Sequence, residues 1–297
     1  MPDQQALHLP SQDNGADVEQ GSIFFIGTAT VILRCAGFTI LTDPNFLHQG
    51  DHVHLGYGLR SRRRTEPAIG FHELPPLDLV VLSHLHEDHF DRIAERRLDR
   101  DLPIITTLQA ARGLQAKGFL ATQGLDRWDS LLVSKGNASL TITATPGQQG
   151  PALASKLLPA VMGSILDFAV GDRTLRVYIS GDTVMHDDLQ QIPQRYPGVD
   201  IALLHLGGTR IAGILLTMDA EQGVQALRLI APQVAVPIHY DDYTVFKSPL
   251  ADFASAVRAA GLEDRVHYLD RGETYSFSLA SLRPSTHPDA PLTPAPG

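Results

Sequence analysis

Residues 83–90 read SHLHEDHF and directly follow the apolar run LDLVVL. An apolar run of that length, bounded by turn signals, makes a buried strand. A strand that ends in three imidazoles (His84, His86, His89) and two carboxylates (Glu87, Asp88) delivers them at a sheet edge, where a site can open to solvent. Imidazole nitrogen and carboxylate oxygen suit zinc, iron or manganese, and the lack of a neighbouring cysteine argues against a thiolate site. His84 and His86 alternate about Leu85 and so face one point. Asp88 and His89, after a turn, face a second point close by. Two metals held ~3.5–4 Å apart over a shared water form a hydrolytic centre. The competing reading is a solvated, His-rich loop capping a helix that starts near Asp91, and residues further along the chain weigh against it.

With 297 residues the chain is long enough for one large domain with a sizeable core. Its formal charge is −9, and Arg60 to Arg64 form its longest basic stretch. Nucleic-acid binding as the main task is therefore disfavoured, because phosphate contacts need a basic face. The single cysteine, Cys35, excludes an internal disulfide, and its setting in VILRCAGFTIL predicts a buried structural thiol. No apolar signal core opens the chain and no run reaches membrane-spanning length, so a cytoplasmic location and no membrane span are expected.

Residues 1–20 are polar and predict a loose tail, and residues 283–297 are Pro-rich and cannot sustain helix or ladder bonding. One domain over 21–282 is the simplest partition. It opens with the strand-like segments SIFFI, GTATVILRC and FTILTDP, then a long loop from Asn45 to about Pro76 carrying His48, His52, His54, Tyr57, Arg60 and Arg62 to Arg64. Loops of that length are often functional, which makes part of it a candidate for substrate contact. Past the His cluster come helix DRIAERRL, strand PIITT and helix LQAARGLQAKG, then strands SLLV, SLTITAT, SILDFAV and TLRVYIS. The last third alternates helices (187–196, 218–230, 249–260) with strands DIALLHL, VAVPIH, VHYL and TYSFSL. Strands in two batches, each with its own helices, predict an α+β chain built as an αββα sandwich of two packed sheets.

Three further stretches put ligand-type residues at strand ends: FTIL runs into Thr42-Asp43-Pro44, TLRVYIS into Gly181-Asp182-Thr183, and VAVPI into His239-Tyr240-Asp241. Any one of them reads as a turn or cap residue; together with the His cluster they point to a site. GTATVIL, LTDPNF, SHLHEDHFD, TPGQQGP, YISGDT, LLHLGGT and VPIHY, in that order, resemble the metallo-β-lactamase superfamily of metal-dependent hydrolases over residues 21–280. The likeness is greatest to the branch of ascorbate-6-phosphate lactonase-like proteins and N-acyl-phosphatidylethanolamine phospholipase D.

The resemblance implies the metallo-β-lactamase fold and a ligand set. His84 and His86 match ligands of a first metal; Asp88, His89 and His239 match ligands of a second; Asp182 matches the bridging carboxylate. Asp43 matches an acid that orients a ligand imidazole. TPGQQGP departs from the pattern, since Gln149 stands where a histidine ligand is usual. An amide oxygen is the weaker donor to zinc, so the second site is expected to be the better one. His205, in LLHLGG, is a candidate acid for a leaving group, with a structural histidine as the alternative.

The expected activity is hydrolysis of an ester, lactone or phosphodiester by a metal-activated water, with Asp88 and Asp182 handling the proton. Zinc, one or two ions, is the expected cofactor, with manganese or iron(II) as alternatives. Arg60 and its neighbours favour an anionic small-molecule substrate. Gln149 keeps a second class open, a pseudoenzyme that binds metal or ligand without turnover. A nuclease is the minor alternative.

Overall fold

Successive side chains of Ile201–His205 are all buried, yet they enter two different cores. Ile201 and Leu203 point between two sheets, whereas Ala202 and Leu204 point outward beneath helices. A strand covered on both faces reads as a continuous apolar run rather than an alternation. Leu79–Val81 repeats the pattern in the other sheet, with Leu79 and Val81 inward and Val80 outward.

The computed structural model describes residues 6–10, 20–55, 58–151, 155 and 158–279. In chain order the first half runs β1 (Ala6–Leu9), β2 (Gln20–Gly27), β3 (Thr30–Cys35) and β4 (Phe38–Thr42). A hairpin of β5 (His52–His54) and β6 (Arg60–Arg62) follows, then β7 (Leu79–Val81), α1 (Arg92–Arg97), β8 (Ile104–Thr107), α2 (Leu108–Ala116) and β9 (Thr122–Leu125). The second half runs β10 (Ser130–Lys135), β11 (Ala138–Pro146), β12 (Met162–Val170), β13 (Arg173–Ile179), α3 (Gln191–Arg195) and β14 (Ile201–His205). It closes with the short pair β15 (Arg210–Ile211) and β16 (Ile214–Leu215), then α4 (Ala220–Ile230), β17 (Val234–Ile238), α5 (Leu250–Ala259) and β18 (Thr274–Ser278).

One seven-stranded sheet is ordered β18-β2-β3-β4-β7-β8-β9 and the other β1-β10-β11-β12-β13-β14-β17. Between them lies the largest core, where Phe25, Leu33 and Ile40 of one sheet meet Leu140, Phe168 and Val236 of the other. Helices α4 and α5 cover one outer face through Leu227, Phe253 and Val257; α1 and α2 cover the other through Ala94 and Leu114. Each leucine, isoleucine, valine or phenylalanine among them contributes about 1.5–3 kcal/mol on full burial. The architecture is the αββα sandwich of the metallo-β-lactamase fold.

The sheets are mixed, and their parallel portions decide where a site can form. Strands β4, β7 and β8 run parallel in one sheet, and β13, β14 and β17 run parallel in the other. Parallel neighbours end at the same edge, and open α/β sheets bind ligands outside those carboxyl ends.

Several expectations change. The segment expected as a loose tail contributes β1, which pairs parallel with β10 and sets Leu7 and Leu9 against the core. The loop over 45–76 contains the β5–β6 hairpin, while VHYL makes only a single bridge, Val266 to Ala235. β9 went unpredicted because TQGL has neither alternation nor β-branched density beyond Thr122. Helix 187–196 splits into a 3-10 turn, Asp187–Gln190, and α3. The Pro-rich segment 283–297 lies outside the described residues, as does Tyr57. Cys35 sits 1 % exposed in the central core, and burial pushes its thiol up to about 12.

Candidate metal centre

Six strand ends from both sheets meet at one edge. β4 runs into Asp43, β7 into Ser83-His84, β11 into Gln149, β13 into Asp182 and β17 into His239, while His205 is the last residue of β14. The turn before Asp182 needs glycine: Gly181 has φ +62°, and a Cβ there would lie 2.4 Å from the Met162 carbonyl oxygen. Asp43 and His239 also adopt positive φ, 35° and 61°. Their backbones are held by hydrogen bonds, Asp43 N–H to the Val81 carbonyl of the neighbouring strand at 3.1 Å and His239 N–H across the sandwich to the Thr28 carbonyl at 2.6 Å. Such strained residues persist where the surroundings over-determine them, commonly at functional sites.

Hydrogen bonds behind the rings fix which nitrogens face the centre. His239 Nδ1 donates to the Leu206 carbonyl at 3.1 Å, and His89 Nδ1 donates to Asp43 Oδ2 at 3.0 Å. In the neutral rings both Nε2 atoms are then lone-pair acceptors. His89 Nε2 lies 3.2 Å from Asp182 Oδ2 and 3.9 Å from Asp88 Oδ2; His239 Nε2 lies 3.5 Å from Asp182 Oδ1 and 3.8 Å from Asp88 Oδ2. One ligand atom from each of Asp88, His89, Asp182 and His239 falls within 4.8 Å of the other three. All four residues are buried, and Asp88 Oδ1, His89 Nε2 and His239 Nε2 have no hydrogen-bond partner.

Electrostatics ask for positive charge there. Burial would raise Asp182, but His239, His89 and the bond from His205 outweigh it and hold its carboxyl well below the usual range. Burial would likewise lower His89, yet Asp182, Asp88 and Asp43 lift it well above an ordinary histidine. Two buried carboxylates between imidazoles thus demand a cation or protons, and the converging lone pairs and mixed N/O donors fit a borderline divalent metal.

His84 is buried against this group, its ring centroid 4.2 Å from that of His89, and its Nε2 lies 2.9 Å from Nδ1 of the partly buried His86. Gln149 is 4 % exposed, with Nε2 3.2 Å from His84 Nε2 and 3.4 Å from Asp182 Oδ2. His205 is wholly buried, stacks on His89 and His239, and places Nδ1 3.2 Å from Asp182 Oδ1. Arg60 is exposed on the β5–β6 hairpin, opposite His54, whose backbone N–H donates to Glu87 Oε2 at 2.6 Å.

Sequence reasoning missed the groups that hold the ligand loop. Ser83 donates backbone N–H and hydroxyl to the two oxygens of Asp43 at 2.7 and 2.9 Å. Asn45 donates Nδ2–H to the Glu87 carbonyl at 3.0 Å and accepts from Arg63 and Tyr243. Arg63 is fully buried although it lies in an arginine run. Arg60, Arg62 and Arg64 are exposed while Ser61 and Arg63 are buried, but the all-polar run RSRRR carries no apolar alternation that could have shown it.

Residues 39–240 match the beta-lactamase superfamily domain. The chain belongs to the metallo-β-lactamase superfamily. A UPF0173 metal-dependent hydrolase of Archaeoglobus fulgidus is 30% identical over 202 residues, covering 68% of this chain and 82% of that protein. An isothiocyanate hydrolase from Delia radicum gut bacteria superposes with a TM-score of 0.73 at 25% identity, over 86% of this chain and 99% of the other. A metallo hydrolase from Ignicoccus hospitalis superposes with a TM-score of 0.63 at 26% identity, over 87% and 99%. This superfamily member is accordingly a metal-dependent hydrolase. No helix among its described residues is long and apolar enough to cross a membrane.

Proposed function

We propose that the protein hydrolyses an ester, lactone or phosphodiester bond of an anionic small molecule, in the manner of the lactonase-like branch of the superfamily. The observation that carries this is the buried group of Asp88, His89, Asp182 and His239, whose ligand atoms lie within 4.8 Å of one another while Nε2 of His89 and of His239 lack a hydrogen-bond partner. These four residues would hold the ion, with zinc favoured and manganese or iron(II) as alternatives. A metal bound there supplies an acidified water and polarises the oxygen under attack.

The remaining chemistry belongs to the side chains. Asp88 Oδ1, free of other bonds, accepts the proton of the attacking water and orients it. Asp182 has an oxygen within 3.2–3.5 Å of each of His89, His205 and His239 and fixes their relative positions. His205 is read as a positioning residue for Asp182 rather than a leaving-group acid, because it is wholly buried beneath the ligands. Asp43 orients His89. Arg60, on the hairpin docked against Glu87, meets the substrate anion. A cytoplasmic location belongs to the same reading, and cell fractionation tests it.

The test is turnover by metal-loaded protein on a lactone, an aryl ester, a phosphodiester and, following the solved neighbour, an isothiocyanate. Hydrolysis of at least one, lost with a chelator and restored by the metal, is expected. Full metal loading with no turnover on the panel would favour a pseudoenzyme, the reading that Gln149 motivates.

A further inference from the structure

The two halves of the centre differ in what their lone pairs do. On Asp88, His89 and His239 three buried side-chain atoms are left without a partner, two of them imidazole Nε2. Around His84 the lone pair is already used. Ser83 Oγ spends its proton on Asp43 Oδ2 at 2.9 Å, so it accepts from His84 Nδ1–H at 3.0 Å. His84 Nε2 is then an acceptor, its one lone pair shared between His86 Nδ1 at 2.9 Å and Gln149 Nε2 at 3.2 Å. The same Gln149 nitrogen lies 3.4 Å from Asp182 Oδ2.

The orientation of this amide follows from its neighbours. An ionised carboxylate only accepts, and His84 Nε2 has been fixed as an acceptor. An amide oxygen at that place would face two acceptors; an amide nitrogen satisfies both with its two N–H groups. The nitrogen therefore lies between an imidazole lone pair and a carboxylate oxygen of Asp182, which are the two kinds of group that would otherwise converge on a cation.

We propose that this chain binds one metal ion, at Asp88, His89, Asp182 and His239, and that the carboxamide of Gln149 occupies the place of a second. The inference rests on the metal-centre reading above and adds the number of ions and the role of Gln149. The carboxamide joins the two sheets through hydrogen bonds, binding His84 after β7 to Asp182 after β13. Its Oε1, buried and without a partner, is left to accept from a water or a substrate donor.

Metal stoichiometry of the full chain tests this without reference to activity. Apo-protein is titrated with Co2+, whose visible absorption reports each filled site, and Zn2+ is counted by elemental analysis after desalting. The parent is expected to saturate at one equivalent. Gln149→His, which supplies a third imidazole beside His84 and His86, and Gln149→Glu, which supplies a carboxylate that cannot donate to Asp182, are each expected to saturate at two. Using both keeps the test open if one fails to fold, as judged by circular dichroism. Two tight equivalents in the parent would overturn the proposal while leaving the metal-centre reading intact. One equivalent in a folded variant would also overturn it, because Gln149 would then not be what fills the second place. No equivalents in the parent would overturn both.

Discussion

Two buried polar clusters lie side by side at the functional edge of the sandwich, and they spend their hydrogen bonds differently. In the first, Asp242 is 0 % exposed and accepts from the Thr28 backbone, the Thr65 hydroxyl and Arg271, the last at 2.9 Å. Beside it Arg63 donates to the Thr65 carbonyl at 3.0 Å and to Asn45, under the ring of Tyr243. What remains unpartnered there is a guanidinium nitrogen and the Thr28 hydroxyl, scattered donors with no common target. In the second cluster Nε2 of His89 and of His239 remain, and both face the carboxylates of Asp88 and Asp182. A polar cluster satisfied from within the chain supports the fold; one whose leftover acceptors point at a single place is completed by something the chain does not supply.

The largest test of that contrast is His239→Ala. Loss of one of the four proposed ligands is expected to remove the metal on desalting, a larger cost than the ~10–100-fold of losing an outer partner. The variant's chelated form should melt like the chelated parent. Retention of a full equivalent would break the comparison. Asp242→Ala works the other way, leaving Arg271 without its ion-pair partner and the buried Thr28 N–H and the Thr65 hydroxyl without their acceptor. It should destabilise the fold by about 1–3 kcal/mol in urea unfolding while metal per folded chain stays unchanged. Lost metal with intact stability would show that the two clusters are one.

Asp43→Asn sits on the boundary, since Asp43 anchors Ser83 and orients His89. Metal affinity is expected to weaken ~10–100-fold in a chelator competition, with the same stoichiometry. The pH dependence is gentler. Against the lowering effect of burial, neighbouring carboxylates hold His89 and His239 above an ordinary histidine, so both are protonated below those raised values. The ion must displace these protons. Affinity should therefore fall as pH falls through the raised pKa values, by up to about tenfold per pH unit for each proton released, and level off above them. Affinity flat from pH 6 to 9 would contradict that charge balance. The smallest effect is Arg60→Ala. An exposed guanidinium is worth ~0.2–1 kcal/mol, so KM for an anionic substrate should rise a few-fold with kcat unchanged.

How much of this was legible depended on whether a residue's role is local. The strands carrying Asp43, His84, Asp182 and His239 announce themselves because apolar runs end abruptly in ligand-type side chains, and the layer order follows from two batches of strands with their own helices. Arg63 did not announce itself. Its burial depends on Asn45, Thr65 and Tyr243, and Tyr243 comes from the far end of the chain. β1 stayed hidden because ALHL is stabilised by an edge it borrows from β10. Gln149 could be read as a departure from a pattern; which way its amide turns required Ser83, whose hydroxyl sets the tautomer of His84.

The proposed ligands come from the ends of β7 in one sheet and of β13 and β17 in the other. An ion held by them is also a non-covalent cross-link, closing two long loops of chain and stitching the two halves of the sandwich together. The unfolded chain offers no such arrangement, so binding adds to stability as RT ln(1 + [L]/Kd), about 4 kcal/mol at a thousandfold excess over Kd. Metal supply would then set how long the protein survives in a cell as well as how fast it works.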